Sequence, residues 1–250
     1  MSRPTAITHA VIPAAGLGTR VRGLTDGPKE LLALDGVPVI WASLLEAAHA
    51  GLRQVVLVTA PGKPALTDWV LGHSPVPVRV VVQPEPRGVV DAVTRAGLGG
   101  RYAVLYPDYV LDRGPGALAA LLAAADTRPE ATWYGVFEAT PARLARVGGS
   151  ARVPATPQGP HLALGPPQAE ETGWRTTFAE VRTPGHDALL VPGDDGSVGA
   201  ALTDRAARGL LWGTRLPGEV LDIGVPAGYA DAVARFADGR ARWASRPEGL

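Results

Sequence analysis

Two stretches near the start of the chain hold the residue types that a polyphosphate needs. One is Pro13-Ala14-Ala15-Gly16-Leu17-Gly18-Thr19-Arg20, and the other is Pro28-Lys29-Glu30-Leu31-Leu32. The first follows an apolar, strand-like run from Thr8 to Ile12. Small residues and glycines after such a run let successive backbone N–H groups converge on anionic oxygens, and Arg20 and Lys29 add full charges.

Other polar residues also follow apolar runs. Gln83-Pro84-Glu85-Pro86-Arg87-Gly88, Pro107-Asp108 and Asp222-Ile223-Gly224 each come at a strand end, where open α/β sheets bind ligands. A glutamine amide pairs with both a donor and an acceptor on a base edge, and Gly88 lets a base approach the backbone. Carboxylates at the ends of two strands suit Mg²⁺, which takes one or two carboxylates together with substrate phosphate oxygens. Singly, these residues have plainer explanations: a Gly-X-Gly turn, a helix cap at Asp108, a turn former at Asp222. Gly16-Leu17-Gly18 lacks both the third glycine of the dinucleotide fingerprint and the Gly-Lys-Ser/Thr ending of a P-loop.

Lysine usage separates one cation from the rest. Only Lys29 and Lys63 are lysines, every other strong cation being arginine. A compact ammonium suits a single phosphate oxygen, which marks Lys29; Lys63, between Gly62 and Pro64, reads as an ordinary surface residue.

The elements that must position these residues follow from periodicity. Strand-like runs fall at Gln54–Thr59, Val78–Gln83 (read as another buried strand), Tyr102–Tyr106 and Thr132–Ala139. Helical patterns fall at Pro38–Gly51, Leu66–Leu71, Val89–Leu98 and Gly116–Ala125. This alternation predicts an α/β fold: a three-layer sandwich with a mostly parallel, Rossmann-like mixed sheet and helices on both faces. A short helix is expected at Pro141–Val147. Gly148–Gly173, rich in proline and glycine, reads as an insertion or lid with one strand at His161–Leu164. Strand-like segments follow at Thr176–Val181, Asp187–Val191, Leu210–Arg215 and Val220–Gly224, with helices at Val198–Arg208 and Ala227–Ala237. No repeat or linker divides the 250 residues, so a single domain is expected, with a nucleotide part over about residues 1–140 and an acceptor part over about 141–250.

Composition narrows the partners. Net charge is zero with no basic block, which argues against nucleic acid, and no run of about 18 apolar residues is present to cross a membrane. The absence of cysteine removes disulfides, thiolate metal sites and cysteine nucleophiles, and the five histidines show no zinc-ligand spacing. A cytoplasmic protein acting on small molecules is expected.

Taken together and in order, the two opening motifs, Gln83 to Val93, Ala103 to Leu111, Leu202-Thr203-Asp204 and Leu221 to Tyr229 resemble the sugar-1-phosphate nucleotidyltransferases, specifically the glucose-1-phosphate uridylyl- and thymidylyltransferase group. The resemblance implies the nucleotidyltransferase fold and a Mg²⁺-assisted reaction in which a sugar 1-phosphate attacks the α-phosphorus of an NTP, UTP or dTTP being favoured, and pyrophosphate leaves. It implies nucleotide contacts at Ala14, Ala15, Gly16, Leu17, Gly18, Thr19, Gln83, Gly88 and Asp108. Catalytic roles fall to Arg20, Lys29, Asp108 and Asp222, with the metal on Asp108 and Asp222. The implied partners are an NTP and a phosphorylated small molecule, with self-association open.

One departure stands out. Where the family carries a Glu-Lys-Pro motif for the acceptor phosphate, this chain has Gly165-Pro166-Pro167, and no lysine follows Lys63. Either Arg175 or Arg182 takes that role, with Trp174 as a lid, or the acceptor is a non-sugar phosphate or phosphonate used with CTP. A relative that binds nucleotide without turnover is the third reading.

Overall fold

The computed structural model describes residues 6–139, 152–167 and 173–249. In chain order they form β1 (His9–Pro13), β2 (Ala33–Leu34), β3 (Val37–Pro38), α1 (Ile40–His49), β4 (Gln54–Thr59), α2 (Pro64–His73) and β5 (Val78–Val82). Next come α3 (Gly88–Arg95), β6 (Tyr102–Leu105), β7 (Tyr109–Leu111), α4 (Ala117–Ala125), β8 (Thr132–Ala139), β9 (Arg152–Val153), β10 (Ala155–Gln158) and β11 (His161–Leu164). The described chain continues through β12 (Gly173–Arg182), α5 (Pro184–Asp187), α6 (Ser197–Ala207), β13 (Leu211–Arg215), β14 (Val220–Asp222) and α7 (Pro226–Ala237).

One ten-stranded sheet runs in the order β10-β11-β13-β8-β12-β6-β1-β4-β5, with β9 beside β12. Among these strands only β11 and β12 run against the others. Alternation along the central strands builds the layers. Ala10 and Ile12 of β1, with Val55 and Leu57 of β4, pack into the core under α1, α2 and α4. Val11, Val56 and Val58 face the other way, against Ala92, Val93 and Ala96 at α3. A β-branched run covered on both faces is what β4 required.

Three expectations change. Val78–Val82 is the edge strand of the sheet and only half-buried, with Val82 exposed. Asp187–Val191 is no strand: Pro184–Asp187 makes a helical turn capped by Thr183, and Val191 forms only an isolated bridge to Asp194. The proline-rich region carries β9 and β10 beside the expected β11. The helix expected at Pro141–Val147 lies outside the described residues.

β12 joins the halves. It pairs with β6 from Ala179 to Arg182 and with β8 along most of its length, and its register shifts between Thr176 and Glu180. Phe178, inside this bulge, is buried with φ 67, a conformation that costs a bulky residue energy and is held by the surrounding core. Its carbonyl accepts from Tyr106 N at 3.0 Å, at the point where the chain leaves β6 toward Asp108.

The far end of β12 is a buried polar cluster. Arg182 Nε and Nη2 reach Glu180 Oε1 at 2.8 and 2.7 Å, and the Tyr106 hydroxyl donates to the same oxygen at 3.0 Å. His186 is fully buried, and neither ring nitrogen has a hydrogen-bond partner among the described residues. Burial pulls its imidazole down to about 4, against the opposing pull of Glu180. The unfolded chain therefore takes up this proton near the ordinary 6.5 while the folded chain resists until about 4, so stability is full above that window and falls as pH drops through it. Between pH 7 and pH 5 the wild type is expected to lose about 2 kcal/mol more than His186→Leu. Equal losses in urea titrations of the two proteins overturn this.

Candidate active site

The carboxyl ends of β1, β4, β5 and β6 share one edge of the sheet, and the candidate residues gather there. β1 runs out at Pro13, and Ala14 stays buried, its N–H donating to Val58 O at 2.7 Å. From Ala15 through Gly18 the N–H groups find no acceptor among the described residues, although Ala15 is only 3% exposed. Four successive donors left open in a loop form a cradle for an anion. Gly18 takes φ 64, which reverses the chain into the Thr19–Val21 turn and brings it against the Lys29 side chain.

Two cavities flank this loop. One of about 510 Å³ is lined by Gly18, Lys29, Lys63 and Gln83 among others; one of about 310 Å³ lies on Gly16, Thr19, Gln83 and Gly88. Ala15 and Leu17 line both. Arg20 is exposed and carries no ion pair among the described residues.

Lys29 and Asp108 meet directly, Nζ to Oδ2 at 2.6 Å. Burial works to lower the lysine's pKa, but the Asp108 carboxylate outweighs it and holds the ammonium above its ordinary value. Asp222 lies beside Asp108 because β14 pairs with β7, placing Asp222 opposite Tyr109, and Ile223 N donates to Asp108 O at 2.7 Å. A Cβ on Gly224 would stand 2.8 Å from Asp108 Oδ2 and 3.0 Å from Asp222 Oδ1, so the bare glycine makes room for two converging carboxylates. Such a pair fits Mg²⁺, a hard cation that takes its remaining oxygens from phosphate and water.

The residues expected to meet a base, Gln83 and Gly88, come together with a difference. The Gln83 amide nitrogen donates to Gly88 O at 3.0 Å and to Asp91 Oδ2 at 2.8 Å. Both partners are acceptors, so the amide presents only its oxygen to a ligand instead of both functions. At Gly88, with φ 83, the space of a side chain is filled by the Asp195 carboxylate, which accepts from Val89 N and Val90 N at 3.1 Å each. The glycine's bareness is thus explained by Asp195.

Lys63 is no ordinary surface residue. Its Nζ reaches Ala14 O and Gly16 O at 2.7 Å each and Glu30 Oε2 at 2.9 Å, and its side chain is 11% exposed. It follows β4, so the strand-end rule that found Gln83 and Asp108 finds it too when applied to that strand.

The two arginines considered for the acceptor part company. Arg175 lies at the ligand edge, where β12 begins, whereas Arg182 sits at the opposite end of the strand, buried on Glu180. Arg182 is thereby removed as an acceptor anchor. Arg215, at the carboxyl end of β13, stands over the Trp174 ring at 4.7 Å.

Fold and cleft together define an α/β protein with a row of open N–H donors at the ends of parallel strands. The chain belongs to the MobA-like NTP transferase domain family, whose model matches residues 10–164. It is 32% identical over 140 residues to a glucose-1-phosphate thymidylyltransferase of Xanthomonas campestris pv. campestris, covering 53% of this chain and 47% of that one. A 2-C-methyl-D-erythritol 4-phosphate cytidylyltransferase of Ralstonia nicotianae is 46% identical over 66 residues, 26% of this chain and 25% of that protein. The chain thus spans half or less of the curated relatives it matches. The fold is shared with a UTP-bound UGPase from Acinetobacter baumannii, at a TM-score of 0.75 and 23% identity, over 92% of this chain and 93% of that one.

Proposed function

We propose that the protein is a Mg²⁺-dependent nucleotidyltransferase that joins an NTP to a sugar 1-phosphate, releasing pyrophosphate. The observation that carries this reading is the row of open N–H donors from Ala15 to Gly18 ending beside Lys29 and Asp108. In the reaction, a phosphate oxygen of the acceptor bonds to the α-phosphorus, and the bond from that phosphorus to the bridging oxygen of pyrophosphate breaks. Such a transfer depends on positioning and charge neutralisation more than on a covalent group. Ala15 to Gly18 would bind the phosphates through their N–H groups, while Arg20 and Lys29 neutralise the departing pyrophosphate. Asp108 and Asp222 would hold the magnesium ion, which when bound supplies charge neutralisation at the reacting phosphate. Lys29, whose ammonium keeps donors beyond its one bond to Asp108, would reach a phosphate oxygen as well.

An acceptor oxygen on Gln83 can receive the N3–H of uracil or thymine or the amino group of cytosine, and UTP or dTTP rests on the likeness to a glucose-1-phosphate thymidylyltransferase. The acceptor's phosphate falls to Arg215, on its Trp174 platform at the ligand edge. Incubation with Mg²⁺, each NTP and a panel of sugar 1-phosphates is expected to release pyrophosphate in at least one combination with UTP or dTTP. Release only with CTP and non-sugar phosphates transfers the reading to the other acceptor class. Nucleotide binding without release anywhere on the panel removes the enzyme reading.

A further inference from the structure

Lys63 stands where local rules disfavour it. It is the N-cap residue of α2, makes no capping bond there, and sets a cation at the positive end of the helix dipole. Its partner Glu30 has a side chain with no exposed surface. A chain that uses arginine for every cation except two places both lysines at this one cleft.

The geometry accounts for the choice. The ammonium has three protons, and four oxygens surround it: Ala14 O and Gly16 O at 2.7 Å, with Glu30 Oε2 and Oε1 at 2.9 and 3.1 Å. Tetrahedral donors can serve two carbonyls of one turn and a carboxylate behind them, whereas a planar guanidinium fork cannot. No proton remains for a ligand. Lys29, bonded to one carboxylate oxygen, keeps donors to spare.

In a trans peptide the C=O and the following N–H point in opposite directions. Drawing the carbonyls of Ala14 and Gly16 toward Lys63 therefore turns the N–H groups of Ala15 and Leu17 away from it. Both residues line the cavities on either side of the loop.

We propose that Lys63 is a positioning residue for the nucleotide: it anchors the phosphate loop by two carbonyls so that the intervening N–H groups face the phosphates, and Glu30 holds it in place. The inference rests on the cleft being the NTP site. It divides the work of the two lysines, Lys29 meeting phosphate and Lys63 shaping the loop that does.

The test compares wild type, Lys63→Met, Lys63→Arg and the double variant Lys63→Met/Glu30→Gln. Calorimetric titration with UTP, dTTP and CTP, each with Mg²⁺, gives affinity directly, and pyrophosphate release gives the KM of each substrate. Lys63→Met and Lys63→Arg are expected to weaken NTP binding about tenfold or more, as for a misplaced binding group, with the acceptor KM unchanged. Lys63→Met also strands the buried Glu30 charge and lowers the thermal midpoint. The double variant is expected to recover the midpoint and not the affinity, which a purely structural ion pair would not do. NTP affinity at the wild-type level in the double variant overturns the anchoring role. A wild-type protein that binds none of the three nucleotides overturns the NTP reading and this inference with it.

Discussion

Asp108→Asn is expected to lower pyrophosphate release about a thousandfold, the scale of several kcal/mol of transition-state charge stabilisation. The substitution keeps the shape of the side chain and removes its charge. Two partners lose by it: Lys29, whose ammonium lies 2.6 Å away, and the cation that Asp108 and Asp222 would share over Gly224. Stability should change little, by about 1 kcal/mol or less, because the pair is partly exposed and the backbone bond from Ile223 N to Asp108 O stays. The measurement is kcat at saturating NTP and acceptor beside a urea midpoint. Turnover within tenfold of wild type, in a variant that folds normally, excludes Asp108 from the metal site.

Arg182→Met is expected to act in the opposite sense, destabilising the fold by about 3 to 5 kcal/mol and leaving substrate affinities alone. Glu180 has no exposed surface, and its carboxylate depends on Arg182 at 2.7 Å, with the Tyr106 hydroxyl as a weaker support. Removing the arginine strands that charge in a medium that cannot solvate it. The double variant Arg182→Met/Glu180→Leu should recover most of the loss, since a well-packed apolar pair substitutes for a buried ion pair at small net cost. In the same assay Arg215→Ala is expected to raise the acceptor KM. A raised acceptor KM in a stable Arg182→Met protein, with Arg215→Ala unaffected, reverses the assignment of the anchor.

The parallel half of the fold was legible because its signals are local. A β-branched run such as Gln54–Thr59 declares its burial, and the small residues and glycines after Ile12 mark a loop whose backbone N–H groups can converge. What the sequence did not disclose depends on partners far along the chain. Val78–Val82 has the composition of an interior strand and becomes an edge only because no later strand among the described residues adds beside it. β12 runs antiparallel between β6 and β8, a pairing that no short pattern announces. Arg175 and Arg182, alternatives for one role, stand seven strand residues or about 23 Å apart, so at most one of them can lie at the ligand edge. Lys63 was missed for a different reason. Its neighbours Gly62 and Pro64 are turn residues, and turns are read as surface, whereas this one folds its lysine back under the loop.

The bulge at Phe178 separates two duties within one strand. Beyond it, Ala179 to Arg182 are bolted to β6, which leads to Asp108; before it, Gly173 to Thr176 are laced to β8 and β9 and have parted from β6. The register shift at the bulge lets the two segments keep different neighbours, since a bulge bends and twists a strand locally. The fold thus has an expansion joint between the start of β12 and the strand that leads to Asp108.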